Sequence, residues 1–274
     1  MKYGIIAGNG RFPVIALETA HKQGDEAIAI AIKEEASPDV ENAAVRCHWV
    51  SLGELGKLIA ICKSEGITQI MMAGQVKHAK IFSSIRPDWQ LVKVLASLMQ
   101  KNTDSLIGAV AKVLADEGIQ LVDSTLLLKP LLAPAGASTK RKPDSDEQRD
   151  IEYGRKIAHA LASLDLGQSV AIAERACVAL EAMEGTDAML RRAASLVEGK
   201  RLTLVKASSR RRHLLFDVPV IGPGTIDVMI ETKTTALAVD AGRTLMLDRD
   251  ELLAKANSAK IAIVGMEPVE EAQT

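Results

Sequence analysis

The chain has 274 residues, of which 47% are hydrophobic and 25% charged, and a formal net charge of -1. That size suits one large or two modest globular domains, and the absence of a basic excess argues against a nucleic-acid surface. Cys47, Cys62 and Cys177 are scattered, with no CxxC pair and no histidines at metal-ligand spacing. This excludes a disulfide framework and a zinc ribbon and fits a reducing compartment.

In chain order, Met1 to Ala7 is a short apolar run that stops at Gly8-Asn9-Gly10. A helical apolar pattern follows from Phe12 to Gln23 and ends at Gly24, and Ala27 to Ile32 is apolar again. Strand, glycine turn, helix, strand is the opening unit of a doubly wound parallel sheet. The glycine turn also breaks the first apolar run too early for a signal peptide, and nowhere are there roughly eighteen uninterrupted apolar residues. A cytoplasmic protein is expected, with a peripheral membrane contact left open.

Leu55 to Ser64 reads as a helix closed by Gly66, and Gln69 to Ala73 as a buried strand running into Gly74-Gln75-Val76-Lys77. Carboxyl ends of strands line the ligand crevice in open α/β sheets, so Gly8, Asn9 and Gly10 should share a rim with Gln75 and Lys77. Asp88 to Met99 and Asp104 to Glu117 read as helices, the second ended by Gly118, and Ile119 to Ser124 as a short strand. Residues 133–150 (APAGASTKRKPDSDEQRD) have linker composition. The expected organisation is an N-terminal Rossmann-like open parallel sheet over 1–132, a linker over 133–150 and a C-terminal α/β domain of unassigned topology over 151–274. In that second domain Ile151 to Leu164, Asp187 to Glu198 and Arg249 to Asn257 read as helices. Ser169 to Ala173, Ala176 to Glu181, Leu202 to Lys206, Thr235 to Val239 and Ile261 to Val264 read as strands.

Three features point to a phosphate. Ala7-Gly8-Asn9-Gly10 resembles GxG but lacks the third glycine of a dinucleotide fingerprint, so it reads as a tight turn offering N–H groups to an anion. Glu184-Gly185-Thr186-Asp187 and Asp217-Val-Pro-Val-Ile-Gly222-Pro-Gly-Thr225 put carboxylates, hydroxyls and glycines into short turns. Carboxylates suit Mg²⁺ and hydroxyls suit phosphoryl oxygens, although turn and helix-cap roles account for the same residues. Arg210-Arg211-Arg212-His213, with Lys206 before it, is either a solvated loop or a phosphate-facing run.

Taken in order, GIIAGNGRFP, GQVK, EGTDAM, the lysine of VKA, FDVPVIGPGT and AGRTLMLDRD resemble the LpxI family of UDP-2,3-diacylglucosamine pyrophosphatases, across nearly the whole chain. The resemblance implies two domains with substrate held between them. It also implies Mg²⁺-dependent hydrolysis to uridine monophosphate and 2,3-diacylglucosamine 1-phosphate, with water directed at the sugar-side phosphorus, and a homodimer. Asp217 matches the acidic residue expected to be catalytic. Metal would then be held by Asp217 and Asp187, phosphoryl oxygens by Lys206, Thr186 and Thr225, and the nucleotide or sugar by Gly8, Asn9, Gly10 and Gln75. Lys77 and Gly222 complete the expected substrate contacts.

The chain departs from the family pattern at His213, where an aspartate is usual, at the neighbouring Arg212, and at Gly224, where a larger residue is common. These changes motivate a second reading, a non-catalytic nucleotide-sugar-binding or regulatory protein of the same fold. The opening strand-glycine-helix unit, with Glu34 and Glu35 after the second strand, motivates a third, a nicotinamide-dependent oxidoreductase.

Overall fold

The computed structural model describes residues 1–76, 87–98, 103–208 and 218–267. They divide into two units, Met1–Leu128 and the described residues from Lys129 onward.

In the first unit β1 (Lys2–Ala7), β2 (Glu26–Ile32), β3 (Arg46–Val50), β4 (Gln69–Ala73) and β5 (Gln120–Leu121) form one sheet in the order β3-β2-β1-β4-β5. Every pairing is parallel. This is the strand order that opens a doubly wound sheet, with the reversal falling between β1 and β4. The connecting helices are α1 (Phe12–Lys22), α2 (Asp39–Ala43), α3 (Leu55–Glu65), α4 (Trp89–Ser97) and α5 (Thr103–Asp116). An unbroken apolar strand such as β2 is what a sheet buried on both faces requires. Ile28 and Ile30 of β2 share a core with Leu58 of α3, Leu91 of α4 and Leu114 of α5.

Strand β3 was not legible in the sequence because it is an edge strand, with polar residues among its apolar ones. Its Arg46 guanidinium bonds Glu26 at 2.7 Å and Glu65 at 2.9 Å, and His48 Nε2 lies 2.7 Å from Glu65. Polar side chains at an edge protect it from pairing with other chains.

The second unit contains a six-stranded mixed sheet in the order β6-β13-β11-β9-β7-β8. The strands are β6 (Gly136–Ala137), β7 (Ser169–Ala173), β8 (Ala176–Leu180), β9 (Leu202–Lys206), β11 (Thr234–Asp240) and β13 (Ala262–Met266), and β10 (Val220–Ile221) pairs separately with β12 (Leu245–Met246). The helices are α6 (Ser145–Ser163), α7 (Thr186–Leu196), α8 (Pro223–Glu231) and α9 (Arg249–Ser258). Strand side chains alternate between two cores, as the period of two demands. Ala171, Leu204 and Leu237 face Met189 and Leu190 of α7, Ile226 of α8 and Leu252 of α9. Val170, Ile172, Val205 and Ala238 face Ile151, Ala158 and Leu161 of α6. The sheet is thus covered on both faces.

Residues 133–150, expected as a linker, contribute β6, which pairs antiparallel with β13, and the first residues of α6. Asp144 caps α6 in a capping box with Glu147. Both Arg141 Nη atoms donate to Glu147, each at 2.8 Å, and Thr235 Oγ1 donates to the same carboxylate at 2.6 Å. A polar composition therefore marks a charged staple here, because Glu147 is buried and its acceptors are all used.

Two expectations follow from this packing. A Cβ on Gly154 would lie 2.7 Å from Ile172 and 2.9 Å from Val205, so α6 sits on the sheet at glycine distance. Gly154→Val should lower the unfolding free energy by about 2 kcal/mol in chemical denaturation, although it removes a helical glycine. Burial raises the pKa of Glu147, but the hydrogen bonds from Arg141, Thr235 and Asp144, with the Arg141 charge, outweigh it and leave the pKa below the ordinary value. A depressed folded-state pKa contributes stability above the unfolded value and loses it as pH falls through the folded one. Stability should therefore decline below about pH 4.3, and Glu147→Gln should flatten that decline while costing roughly 2–3 kcal/mol at neutral pH.

Candidate functional site

In the first unit the two glycine turns meet at the carboxyl ends of β1 and β4. Gly8 N–H donates to Ala73 O at 2.8 Å, Asn9 N–H to Gln75 O at 2.8 Å, and Gln75 N–H to Asn9 O at 3.1 Å. The approach leaves no room for side chains: a Cβ on Gly8 would lie 2.7 Å from Gln75 O, and one on Gly74 2.5 Å from Asn9 O. Gly74 also has φ 85°, a left-handed conformation that favours glycine. Gly10, at φ 95°, faces open space. Asn9, Gly10 and Gln75 are exposed on this rim, beside the start of α1, which no side chain caps. Lys77 lies outside the described residues.

In the second unit a polar cluster forms where β9 ends and α7 begins. Gly185, at φ 83°, makes the turn, and no side chain caps α7. Glu184 holds that turn, accepting from Ala182 N–H at 3.1 Å and from Arg192 at 2.7 Å. Thr186, the first residue of α7, donates its hydroxyl proton to Glu181 Oε1 at 2.9 Å and accepts from Lys206 Nζ at 3.2 Å. Ser169 Oγ lies 3.2 Å from the same hydroxyl. Lys206 is only 7% exposed, and among the described residues no carboxylate lies within ion-pair distance of it. An ammonium group is thus buried next to the positive end of a helix dipole, which makes the cluster attractive to anions.

Asp187 follows Thr186 but is exposed. Gly222 and Thr225 start a helix: Pro223 opens α8, and Thr225 Oγ1 accepts from Gly222 N–H at 3.3 Å. The sequence puts GPGT in a short turn, yet it opens a helix in which Ile226, Val228 and Met229 are buried. Proline in the first turn and apolar burial in the second explain the helix. Asp217 and the run 210–213 lie outside the described residues. Among the described residues no group of three or more His, Cys, Asp or Glu side chains could hold a metal ion. Asp187 alone is too few ligands for Mg²⁺, which wants several oxygens around it, so a metal held here needs further ligands from outside the described residues.

The sequence reading missed Glu181, Ser169, Ser208 and Asp240. Asp240 ends β11, 3% exposed, and its Oδ2 accepts from Ser208 N–H at 2.8 Å and Ser208 Oγ at 3.2 Å. His159 Nε2 lies 3.3 Å from Oδ1. Burial raises the Asp240 pKa, but His159 and the Ser208 hydrogen bonds lower it by more, so the net shift is downward and the carboxylate is ionised at neutral pH. The available signal was an acidic residue closing an apolar strand, as at both Glu181 and Asp240.

The family model for the LpxI N-terminal domain matches residues 2–131, and that for the LpxI C-terminal domain matches residues 134–264. The chain is 30% identical to UDP-2,3-diacylglucosamine pyrophosphatase LpxI of Caulobacter vibrioides, over 98% of this chain and 99% of that protein. Among solved structures, CobK precorrin-6A reductase is 14% identical with a TM-score of 0.34, over 100% of this chain and 91% of its own. A biotin carboxylase domain of a thermophilic 2-oxoglutarate carboxylase is 10% identical with a TM-score of 0.26, over 62% of this chain and 34% of its own. Structural likenesses at that level carry no weight. With both of its domain models matched in order along one polypeptide, the chain belongs to the LpxI family.

Proposed function

We propose that this protein hydrolyses the pyrophosphate bond of UDP-2,3-diacylglucosamine, giving uridine monophosphate and 2,3-diacylglucosamine 1-phosphate for lipid A synthesis. The observation that carries the proposal is the 30% identity, over 98% of the chain, to a relative that bears this activity in its name. The buried Lys206 ammonium at the uncapped start of α7 supports it, because a pyrophosphate diester resists attack until its negative oxygens are neutralised.

In this reading Lys206 clamps a phosphoryl oxygen and Asp217 is the catalytic carboxylate. The rim of Gly8, Asn9, Gly10 and Gln75 offers backbone and amide groups to the nucleotide or sugar, and Thr225 still has its own hydroxyl proton to donate. Mg²⁺, held by Asp217 and Asp187, would supply charge neutralisation at the phosphates. A diacylated substrate also places the enzyme at the cytoplasmic membrane surface as a peripheral protein, and no helix among the described residues is long and apolar enough to cross a membrane. The homodimer of the family resemblance is part of the same reading.

Purified protein incubated with UDP-2,3-diacylglucosamine should release uridine monophosphate with Mg²⁺ and not with EDTA. Release that ignores EDTA would remove the metal, and no release would remove the activity. Asp217→Ala should bind substrate and turn over at least about a hundredfold more slowly, as loss of a catalytic acid–base group does. Lys206→Gln should raise KM about tenfold, the weight of one charge-assisted hydrogen bond, and an unchanged KM discards the clamp.

A further inference from the structure

We infer that Glu181 is a positioning residue for the phosphate clamp, acting through the Thr186 hydroxyl to aim the Lys206 ammonium. This rests on the reading of Lys206 as the clamp. Glu181 closes the stretch that follows β8, is 7% exposed, and has both carboxylate oxygens engaged. Oε1 accepts the Thr186 hydroxyl at 2.9 Å, and Oε2 accepts Gln168 N–H at 3.3 Å.

Proton counting gives the consequence. A hydroxyl has one proton and two lone pairs, and an ammonium has three protons and none. Because the Thr186 proton goes to Glu181, the threonine oxygen presents only lone pairs to its other neighbours, Lys206 Nζ and Ser169 Oγ, each at 3.2 Å. Among the described residues the ammonium spends one proton, on Thr186, and the others are open to a ligand. Thr186 itself has no proton left for a phosphoryl oxygen, so its contribution to binding is indirect. Without an acceptor at position 181, the threonine proton is free to turn toward Lys206, where two donors repel.

Glutamine cannot substitute cleanly. Glu181 accepts from a hydroxyl and from a backbone N–H at once, whereas an amide offers one acceptor oxygen and turns its NH₂ against the second donor. The position therefore demands a carboxylate, not merely a polar side chain of that length. Gly167 reinforces the demand, since a Cβ there would lie 2.2 Å from Glu181 O, and Glu181 N–H donates to Ser169 O at 2.9 Å. The backbone of Glu181 is pinned, so its carboxylate has little freedom to find another partner.

The test is steady-state hydrolysis of UDP-2,3-diacylglucosamine by the parent, Glu181→Gln, Thr186→Val, the double variant, Thr186→Ser and Lys206→Gln, with melting temperatures alongside. Glu181→Gln and Thr186→Val should each raise KM about tenfold with kcat much less affected, and the double variant should be no worse than the worse single one. Thr186→Ser, which restores the hydroxyl, should return KM to near the parent value. A parental KM in Glu181→Gln, or losses that multiply in the double variant, overturns the inference. Should Glu181→Gln fail to fold, the Thr186→Val and Thr186→Ser pair decides, with a parental KM in Thr186→Val the overturning result. Lys206→Gln separates the two levels: a parental KM there defeats the clamp itself, whereas a raised KM there with a parental Glu181→Gln defeats only the role of Glu181.

Discussion

Burying the Lys206 ammonium is the constraint around which the second unit is arranged. A charge removed from water demands partners, and the ones provided among the described residues are a neutral hydroxyl at 3.2 Å and, behind it, a carboxylate. Hydroxyl relays of this kind hold a cation in place without quenching it, which a direct ion pair would do. The Lys206 charge sits beside the start of α7, where the N–H end of the helix dipole is partially positive as well.

The sheet explains how such a group can be placed at all. Lys206 ends β9 and Asp240 ends β11, and the two parallel strands are in register at Val239 and Lys206. Alternation sends apolar side chains into the two cores along most of each strand, so polar groups collect where the strands stop. Asp240 uses its position to anchor Ser208, two residues beyond Lys206, through backbone and hydroxyl together. The segment leaving the strand-end lysine is thus anchored by a carboxylate on the neighbouring strand. In the first unit the same logic appears without charge: the ends of β1 and β4 close on each other through backbone hydrogen bonds that only glycines at positions 8 and 74 permit.

Strong periodicity made much of this legible in the sequence. The run EAIAIAI and the turns at Gly8 and Gly74 announced a parallel sheet whose glycine turns share one rim, because buried strands and backbone contacts restrict composition severely. Thr186 and Lys206 were readable as neighbours of a phosphate, and they prove to touch. What escaped was set by tertiary context. Strand β3 hides its apolar residues among edge charges, and α8 begins with Pro and Gly, which read as a turn until Ile226 and Met229 bury. Residues 133–150 read as a linker because charge dominates them, and only the fold shows Arg141, Glu147 and Thr235 meeting from 94 positions apart. Glu181 carried only the signal of an acidic residue closing an apolar strand, since its meaning lies in a hydroxyl on the next helix and a lysine on another strand.

Gly224 sharpens the distinction between glycines the backbone requires and glycines it merely tolerates. At Gly8 and Gly74 a side chain has nowhere to go. At Gly224, in the first turn of α8, a Cβ would meet nothing within 4 Å and φ is not positive. A larger residue would fit, and glycine inside a helix costs up to about 1 kcal/mol relative to alanine, so local stability does not explain the choice. The effect of glycine here is to leave the opening turn of α8 bare beside Thr225, whose oxygen already caps Gly222 N–H. A basic side chain at this position would add its own charge to a helix start already positive in potential. Glycine instead leaves the backbone and the Thr225 hydroxyl as the groups that turn presents, without a side-chain charge of its own.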